Sequence, residues 1–428
     1  MAHRKRGTRH KKSAPKSTRQ TLTITHLAHQ GDGVSETEKG KIYVPATLPG
    51  ETVIADVIGE RGRVVELIEE AQNRVPAPCK FYERCGGCSL QHMNHESYRA
   101  WKVEQLTSAL HAQNIETEIA PLVGLEKGTR RRTTFAAKRE GGDLIFGFHG
   151  NRSHQIAAID HCLILEPAIE KAIEKLRILA ALIAPKKGVM KVHVLATDTG
   201  LDVRLDDFGD WPDFKQERAL SDHAIKVGFA RLSLGDEVLI QTQEPILTFG
   251  EARVSPPAGG FTQAAQASEN ALSKLVLDAL AGKKNIVDLF SGCGTFALRC
   301  AAFARVHGVD GDGPAIAALE KAARQTPALK PVTTEKRDLF HRPFTAKELK
   351  KFDAIVLDPP RAGATAQIIE IAKSNHNQLV YVSCSPASFA RDARLLIDAG
   401  FQLKRVTPVD QFLFSPHIEL VGVFHKES

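Results

Sequence analysis

Long apolar runs are missing from this sequence, and its first residues show no signal-peptide pattern. No stretch reaches the roughly 18 apolar residues that a membrane-spanning helix requires, and the N-terminus carries no apolar segment of the signal-peptide type. We therefore expect a cytoplasmic protein with no membrane partner. Hydrophobic residues make up 43% of the 428 residues, which is ample for several cores, and this length suggests roughly two to four domains.

Acidic side chains are missing from the first 20 residues, which carry 8 Lys and Arg side chains. The whole chain has a formal net charge of +7, so the remainder is close to neutral. A like-charged run of this kind predicts a disordered tail, which we place at residues 1–18. Two interpretations stay open: a solubilising end, or an arm that binds RNA by releasing counterions from phosphates. A transit peptide is disfavoured because the run has no amphipathic apolar face.

Residues 19–76 alternate apolar and polar side chains in short segments. Breaks at Gly31-Asp-Gly33 and at Pro49-Gly50 mark turns between these segments. The pattern predicts a five-stranded, OB-like β-barrel. Such barrels frequently bind nucleic acid, and the plainer alternative is a barrel that only packs against its neighbour.

Cysteine is sparse, with 7 in the chain, yet three of them lie within ten residues. In a cytoplasmic protein such clustering favours a metal over disulfides. Four thiolates suit either a [4Fe-4S] cluster or structural zinc, and the residue types alone do not decide between them. The C-x5-C-x2-C spacing differs from the C-x3-C-x2-C of radical enzymes, which disfavours radical chemistry. The candidate ligands are Cys79, Cys85, Cys88 and the distant Cys162.

The pattern changes twice between the cysteines and the C-terminal part of the chain. Residues 95–124 predict a helix, Glu96 to Ala112, and a linker, both packing on the C-terminal domain. Strand-like segments return over 125–256, and we assign them with 77–94 to a central α+β domain. Three consecutive arginines near its start interleave with phenylalanines, which favours contact with RNA. These candidate RNA-binding residues are Arg130, Arg131 and Arg132.

Residues 257–428 predict an α/β domain of Rossmann-like type. Residues 285–290 form a buried strand, Ser291-Gly-Cys-Gly-Thr295 a glycine-rich turn, and residues 296–305 a helix. The turn is shorter than the G-x-G-x-x-G of dinucleotide-binding folds, and successive strands end in acids. This order of motifs indicates a class I methyltransferase that binds S-adenosyl-L-methionine. The acids that end the later strands are Asp310, Asp338 and Asp358.

A cysteine follows the next apolar run, in Val380-Tyr-Val-Ser-Cys384-Ser-Pro386, while Asp358-Pro-Pro-Arg361 ends the run before it. Because open α/β sheets carry their chemistry at neighbouring strand ends, this pairing predicts an enzyme with a cysteine nucleophile. The plainer interpretations are a small buried thiol and an aspartate that only caps the following helix.

Motifs along nearly the whole chain resemble the RNA uracil-5-methyltransferase family, in particular its TRAM-bearing, iron–sulfur RumA/RlmD-type 23S rRNA enzymes. In the N-terminal barrel, Gly-Asp-Gly-Val34 and Val44-Pro-Ala-Thr-Leu-Pro-Gly50 resemble the TRAM module. The most specific matches are the cysteine array, Gly259-Gly-Phe-Thr-Gln263, Asp358-Pro-Pro-Arg-Ala-Gly363, Ser383-Cys384-Ser-Pro386 and Pro416-His-Ile-Glu419.

This resemblance implies a role for each matching residue. It implies that Cys384 is the nucleophile, Glu419 the base and Asp358 a further catalytic residue, and it favours iron over zinc at the cysteines. The implied contacts to S-adenosyl-L-methionine are Gln263, Phe290, Thr295, Asp310, Asp338 and Asp358, and the implied ligands of the [4Fe-4S] cluster are Cys79, Cys85, Cys88 and Cys162.

Two cofactor-side positions depart from the family pattern. Ser291-Gly-Cys293-Gly-Thr295 stands where Cys-Gly-Met-Gly-Asn is usual, and Asp310 replaces the more usual Glu. The following Gly311-Asp-Gly313 makes Asp312 a rival of Asp310 for the ribose hydroxyls.

The expected reaction forms 5-methyluridine in RNA. C5 of uracil is a poor nucleophile, so the thiolate of Cys384 adds to C6 first and makes an enolate whose C5 attacks the methyl group. Glu419 then removes the C5 proton and the thiol leaves. The uracil must be unstacked, in a loop or flipped out, with Phe261 as a stacking surface. We expect a monomer acting on 23S rRNA.

Three other functions stay open. A tRNA uracil-5-methyltransferase would share the same catalytic residues. An amino-group RNA methyltransferase would share the Asp-Pro-Pro motif, although such sites want an aromatic residue where Arg361 stands. The third is a non-catalytic RNA-binding protein whose metal site is purely structural.

Overall fold

The computed structural model describes residues 17–426, and these residues form two compact units. The smaller unit holds the described residues up to Pro78 together with Ser89–Ser97, and the larger unit holds Cys79–Cys88 and everything from Tyr98 onward. Nearly all of the predicted basic tail, and its proposed contact with RNA, lie outside the described residues. Among the helices that the structure describes, none combines the length and apolar character needed to cross a bilayer.

The smaller unit is built on one six-stranded sheet with the order β1-β5-β6-β4-β3-β2. Its inward side chains, such as Leu22, Val44 and Val53, form a separate apolar core. The sequence predicts five strands here. The sixth is the two-residue strand His26–Leu27, which pairs with β3. The chain passes from one partner to the other just before it, since the N–H of Ile24 bonds to Glu51 beside β5 and that of Thr25 bonds to Val34 of β3. The strands are β1 Thr18–Thr23, β2 His26–Leu27, β3 Gly33–Thr37, β4 Gly40–Val44, β5 Thr52–Ile58 and β6 Arg61–Glu69.

The central part of the larger unit is a seven-stranded sheet with the order β10-β9-β8-β11-β12-β13-β14. It pairs antiparallel except between β12 and β13. Helix α1 and strand β7 precede it, α2 to α4 accompany it, and a short hairpin of β15 and β16 follows. The elements are α1 His95–His111, β7 Glu118–Ile119, β8 Arg132–Glu140, β9 Asp143–His149, β10 Ile156–Ala158, α2 Pro167–Glu170, α3 Ile173–Ile183, β11 Met190–Thr197, β12 Gly200–Asp206, α4 Phe214–Val227, β13 Arg231–Leu234, β14 Glu237–Gln241, β15 Leu247–Phe249 and β16 Ala252–Val254.

The C-terminal part carries an eight-stranded sheet with the order β19-β18-β17-β20-β21-β23-β22-β7. The first five strands in this order run parallel, and β23 lies antiparallel to β21. Buried apolar side chains fill both faces, as a parallel sheet covered by helices requires. The elements are α5 Gln266–Ala279, β17 Asn285–Leu289, α6 Ala297–Cys300, β18 Arg305–Asp310, α7 Gly313–Arg324, β19 Val332–Lys336, α8 Ala346–Leu349, β20 Ala354–Leu357, α9 Thr365–Ala372, β21 Gln378–Ser383, α10 Pro386–Asp398, β22 Gln402–Val409 and β23 Glu419–His425.

The structure corrects the helix predicted over residues 296–305. Helix α6 spans only Ala297–Cys300. The next residues form tight turns, with Ala302 and Phe303 donating to carbonyls three residues back. Arg305 then donates to the carbonyl of Lys284 and begins β18. The crossover is therefore too short for a longer helix.

Candidate active site

Three residues singled out from the sequence meet at one edge of the C-terminal sheet. Asp358 follows Leu357, which pairs with Tyr381 in β21, and Cys384 follows the last residue of that strand. Because β23 runs antiparallel to β21, its first residue, Glu419, lies beside the end of β21, where Ser383 pairs with Leu420. We call Asp358, Cys384 and Glu419 the strand-edge site.

Burial dominates the electrostatics of the two carboxylates. The side chain of Glu419 is 5% exposed, and this burial raises its pKa to about 7, against the charges of Arg361 and Lys102. Burial also raises the pKa of Asp358 well above its ordinary value, and the charge of Glu419 adds to the effect. Burial therefore favours the protonated form of Asp358, while Glu419 is poised between acid and base near neutral pH.

Cys384 is half-buried beside these two acids. Burial raises the pKa of its thiol to about 11, with Glu419 and Asp358 adding to the effect, while the charge and hydrogen bond of Arg361 oppose it. The resting thiol is thus protonated at neutral pH, and Arg361 is the cation that favours its thiolate. From the sequence, Arg361 belongs to the Asp-Pro-Pro-Arg motif and argues against an amino-group methyltransferase, but no role toward Cys384 is assigned to it. Its position directly after Asp-Pro-Pro, on the loop that leaves β20, was the signal for this role.

A chain of hydrogen bonds links the strand-edge site to Gln263. Nε2 of Gln411 donates to Oε1 of Glu419 at 3.1 Å and to Oε1 of Gln263 at 2.9 Å. Nε2 of Gln263 in turn faces Oδ2 of Asp358 at 3.5 Å. Sequence reasoning selects Gln263 but misses Gln411, which is the second residue after β22 and lies among residues that carry no recognisable motif.

The glycine-rich turn after β17 places polar groups in a buried position. The side chain of Asp288 is 1% exposed, and burial raises its pKa to about 8. Phe290 has a left-handed φ of 64°, which turns the chain sharply into Ser291-Gly-Cys-Gly. Within the described residues, both carboxylate oxygens of Asp288 and the hydroxyls of Ser291 and Thr262 lack a hydrogen bond of ordinary geometry. Buried polar groups without partners fit a polar ligand such as S-adenosyl-L-methionine.

Asp310 and Asp312 have different local roles. Asp310 accepts from the N–H of Gly292 on the turn and from the N–H of Asp312, both at 2.8 Å. The side chain of Asp312 instead caps helix α7 at the N–H of Ala315. Asp310 therefore lies at the glycine turn, and Asp312 is committed to the helix. This favours Asp310 as the ribose ligand.

The remaining predicted cofactor residues lie around the same turn. Asp338 is exposed after β19 and accepts from the N–H of Phe340 at 2.9 Å. The ring of Phe340 lies 5.4 Å from that of Phe290, between centroids. The carbonyl of Thr295 accepts a hydrogen bond from Arg299 within the turn that starts α6.

Helix α1 anchors the loop Asp410–Ile418, which joins β22 to the base. The hydroxyl of Tyr98 donates to Asp410 at 2.7 Å, and Nζ of Lys102 donates to the same carboxylate at 2.8 Å. Lys102 is fully buried and also bonds the carbonyl of His417. The sequence predicts only that this helix packs on the C-terminal domain. The structure adds the buried hydrogen bonds of Tyr98 and Lys102 to Asp410, which hold the start of the loop that leads to Glu419.

The structure corrects the predicted RNA-facing role of Arg131. Its side chain is 4% exposed and forms an ion pair with Glu269, which also binds Arg299 at 2.8 Å. An arginine buried in this pair is not available to a phosphate. The half-buried Arg130 and Arg132 differ, since they lie over aromatic rings.

Two cation–aromatic pairs involve these arginines. The guanidinium of Arg132 lies 4.8 Å from the ring centroid of Phe261, and that of Arg130 lies 5.5 Å from the centroid of Phe412. Phe261 is 67% exposed, which is unusual for a large apolar side chain. These rings are positioned to offer a surface to a stacked base.

The cysteines lie at the edge of the central core. Cys79, Cys85 and Cys162 pack against it, and the pKa of Cys85 and of Cys162 is raised by burial first and then by the neighbouring thiols. Over residues 17–426, however, no group of three or more His, Cys, Asp or Glu is arranged to hold a metal ion. The four thiols are suitable metal ligands, but their side chains are not arranged around a common point in this structure. The four thiols of this segment and its distant partner, none of them in a disulfide, are Cys79, Cys85, Cys88 and Cys162.

Gly86, between these thiols, is required by close packing. A Cβ at this position would lie 2.8 Å from the backbone nitrogen of Asn151 and 2.9 Å from the carbonyl oxygen of His149. The N–H of Gly86 also donates to that carbonyl. Any larger residue would push the cysteine segment away from strand β9 and the turn after it.

Comparisons with known proteins give a consistent result. The family model described as tRNA (uracil-5-)-methyltransferase matches residues 251–428. An uncharacterized RNA methyltransferase of Agrobacterium fabrum is 43% identical over 95% of this chain and 99% of its own length. The 23S rRNA (uracil(1939)-C(5))-methyltransferase RlmD of Pseudomonas putida is 31% identical over 96% of this chain and 94% of its own length.

One solved structure resembles the chain over most of its length. It is the Pyrococcus abyssi tRNA (uracil-54, C5)-methyltransferase in complex with S-adenosyl-L-homocysteine, with a TM-score of 0.73 and 22% identity over 94% of this chain and 99% of its own. At this level of identity the similarity is evidence for the fold alone. It confirms the α/β architecture expected from the sequence.

Proposed function

Since this chain belongs to the RNA uracil-5-methyltransferase family, we propose that it forms 5-methyluridine in 23S rRNA through a covalent adduct at Cys384. The family fixes the reaction as methyl transfer from S-adenosyl-L-methionine to C5 of uracil in RNA. The observation that carries the assignment of roles is the meeting of Asp358, Cys384 and Glu419 at one sheet edge.

Each member of the strand-edge site has a separate task in this proposal. The thiol of Cys384 gives its proton to solvent, its sulfur bonds to C6 of the uracil, and the π electrons of the C5–C6 bond move onto C5 and O4. Arg361 favours the thiolate at this moment. Burial favours the protonated form of Asp358, which would donate a hydrogen bond to the pyrimidine. When bound, S-adenosyl-L-methionine supplies the electrophilic methyl group for C5.

Glu419 completes the reaction by removing the C5 proton. The electrons of the C5–H bond restore the C5–C6 double bond, and the C6–S bond breaks to release Cys384. A carboxylate whose pKa is raised to about 7 is a stronger base than an exposed one, yet it is still largely deprotonated just above neutral pH. The raised pKa of the buried Glu419 carboxylate therefore supports its role as the base.

The glycine turn is the proposed binding site of the cofactor. Asp310, which bonds the turn, would hold the ribose hydroxyls, and Gln263 would face the reacting end beside Asp358. The buried hydroxyl of Ser291, which has no hydrogen-bond partner among residues 17–426, supports a polar ligand there. Phe290, Thr295 and Asp338 complete the proposed contacts.

A [4Fe-4S] cluster at the cysteines belongs to the same proposal. Its support is the donor set of four thiols, three of which lie on one core edge. The bare chain lacks a preformed metal-binding arrangement over residues 17–426, so cluster assembly would have to draw the thiols together. Iron and acid-labile sulfide analysis of anaerobically purified protein, with absorbance near 400 nm, tests this part alone. Zinc in their place would contradict it.

The choice of 23S rRNA has a narrower basis. It rests on the Pseudomonas putida relative, which acts on uracil 1939 of that RNA. The archaeal enzyme of known structure is a tRNA methyltransferase, but at 22% identity its similarity to this chain is evidence for the fold alone. We also propose a monomer that works in the cytoplasm, with Phe261 and Arg132 contacting the RNA near the site.

Methylation of purified RNAs tests the whole proposal. The enzyme, S-adenosyl-L-methionine and either 23S rRNA or total tRNA, each from a strain lacking this gene, are incubated, and the nucleosides are identified by mass spectrometry. We expect 5-methyluridine in 23S rRNA at a single position. The same product in tRNA alone would move the substrate to tRNA, and an N-methylated base in place of 5-methyluridine would overturn the reaction.

A further inference from the structure

Gln411 is a buried amide with partners on both sides of the site. Its side chain is 4% exposed. An amide NH₂ has two protons, and here they point at Oε1 of Glu419, 3.1 Å away, and at Oε1 of Gln263, 2.9 Å away. At the other end, the hydroxyl of Ser268 lies 2.7 Å from Oε1 of Gln411. The orientation of the amide is fixed by its partners, because two acceptors face its nitrogen.

This arrangement leaves one oxygen of the base for chemistry. Oε1 of Glu419 is held by Gln411, whereas Oε2 has no hydrogen-bond partner among residues 17–426. A base held through one oxygen presents the other in a defined direction, and a lost bond would let the carboxylate rotate. Misplacement by about 1 Å can cost a reaction roughly a hundredfold.

We propose that Gln411 is a positioning residue that aims Glu419 at the C5 proton and couples the orientation of the base to Gln263 on the cofactor side. This inference rests on the proposed function of Glu419. It assigns Gln411 to proton removal, the step after methyl transfer, and not to the formation of the adduct.

Charged groups around Glu419 set how this step depends on pH. Lys102 from α1 and Arg361 from the loop after β20 favour its carboxylate. Asp358 and Cys384 face it from the ends of β20 and β21, and an ionised Glu419 raises the pKa of each. The bond from Gln411 lowers the pKa of Glu419, so removing that bond should move the pH dependence of proton removal upward.

The test is Gln411→Met, which keeps the length of the side chain and removes its hydrogen bonds. The matched control is Gln402→Met, the same change at an exposed position of β22. With uridine-containing substrate RNA and S-adenosyl-L-methionine, Gln411→Met should release S-adenosyl-L-homocysteine in a first turnover within about threefold of the wild-type rate. Later turnovers should slow by about 10- to 100-fold, while a methylated, SDS-resistant protein–RNA adduct accumulates. The control should behave as wild type.

Two further measurements distinguish a specific loss of proton removal from a general loss of folding in Gln411→Met. Ser268→Ala removes the hydroxyl at the far end of Gln411 and should produce a weaker slowing of the same step. In a Glu419→Gln background, Gln411→Met should add no further loss, because the two residues act on one step. The breakdown of the adduct should also require higher pH in Gln411→Met than in wild type.

Two results would overturn the inference: an equal loss in the first and later turnovers, or no loss in either. A wild-type enzyme that forms no adduct even with 5-fluorouridine RNA would instead refute the covalent mechanism. The two failures are therefore distinguishable.

Discussion

The strand-edge site and the cysteine segment both gather reactive side chains, but the protein organises them differently. At the strand edge, Gln411 and Gln263 connect Glu419 to Asp358 through hydrogen bonds within the chain. At the cysteines, the thiols lie near one another with no metal-holding arrangement over residues 17–426. The first site is preorganised by the fold, whereas the cluster proposed above would have to organise the second. Variants in the first should therefore change turnover, and variants in the second should change stability.

The largest loss of turnover is expected from Cys384→Ala. Without the sulfur no bond to C6 can form, so methylation should fall by about a thousandfold or more while RNA binding is kept. The control is Cys300→Ala, a buried thiol on α6. It should retain turnover and lose only about 1 kcal/mol of stability. Methylation and RNA binding are measured for both proteins, and an active Cys384→Ala enzyme would remove the nucleophile.

Glu419→Gln should come next, with a loss of about 100-fold in turnover and an accumulated methylated adduct. The same variant makes a prediction about stability. The folded chain holds the Glu419 proton with a pKa of about 7, above the ordinary 4.5. The native state therefore binds more protons than the unfolded state between these values, and stability falls as pH rises through this window.

Glutamine has no proton to lose, so Glu419→Gln should gain stability relative to wild type as pH rises from about 4.5 to 7. The gain should approach about 3 kcal/mol above pH 7 and vanish below pH 4.5. Urea unfolding at pH 4, 6 and 8 measures it. A constant difference across these pH values would show that burial does not perturb Glu419.

Lys102→Met should have an intermediate effect. It leaves Asp410 buried without its cation, which costs about 3–5 kcal/mol. The freed loop should also lower turnover by about tenfold, because it leads directly to the base. A suitable control is Lys274→Met on the exposed face of α5, where the ion pair with Asp278 is solvated and contributes little. Equal destabilisation by both variants would contradict the role of α1 as an anchor.

The smallest change of turnover is expected at the cysteine segment. Cys79→Ser should abolish iron binding and lower stability by about 2–4 kcal/mol, while methylation of a short RNA stays within about threefold of wild type. Iron content, thermal unfolding and methylation are compared in one preparation. Full loss of methylation with intact folding would place the cluster in the reaction and erase the contrast between the two sites.

Sequence reasoning reached the residues whose position follows from strand order. Asp358 and Cys384 each come directly after an apolar run, so their meeting at one edge follows from parallel pairing. Gln411 and Lys102 carry no comparable pattern. Their roles depend on which side chain of a distant element faces them, as Asp410 does 308 residues after Lys102, and sequence spacing does not encode such contacts.

Arg131 illustrates the opposite error. Three consecutive arginines suggest one basic surface, yet in the segment that leads into β8 at Arg132 successive side chains point in different directions. The middle side chain therefore points inward to Glu269, while its neighbours lie over Phe412 and Phe261. The sequence also does not predict the length of helix α6. The helix ends early because β18 begins at Arg305, and the helix propensity of the residues does not decide where it ends.

The most direct test of the central claim uses 5-fluorouridine at the target position of the RNA. Fluorine at C5 cannot be removed as a proton, so the methylated adduct cannot break down. We predict a one-to-one SDS-resistant complex that forms only with S-adenosyl-L-methionine and whose crosslinked peptide contains Cys384. An enzyme that methylates ordinary RNA but forms no such complex, or forms it through another residue, would contradict the account.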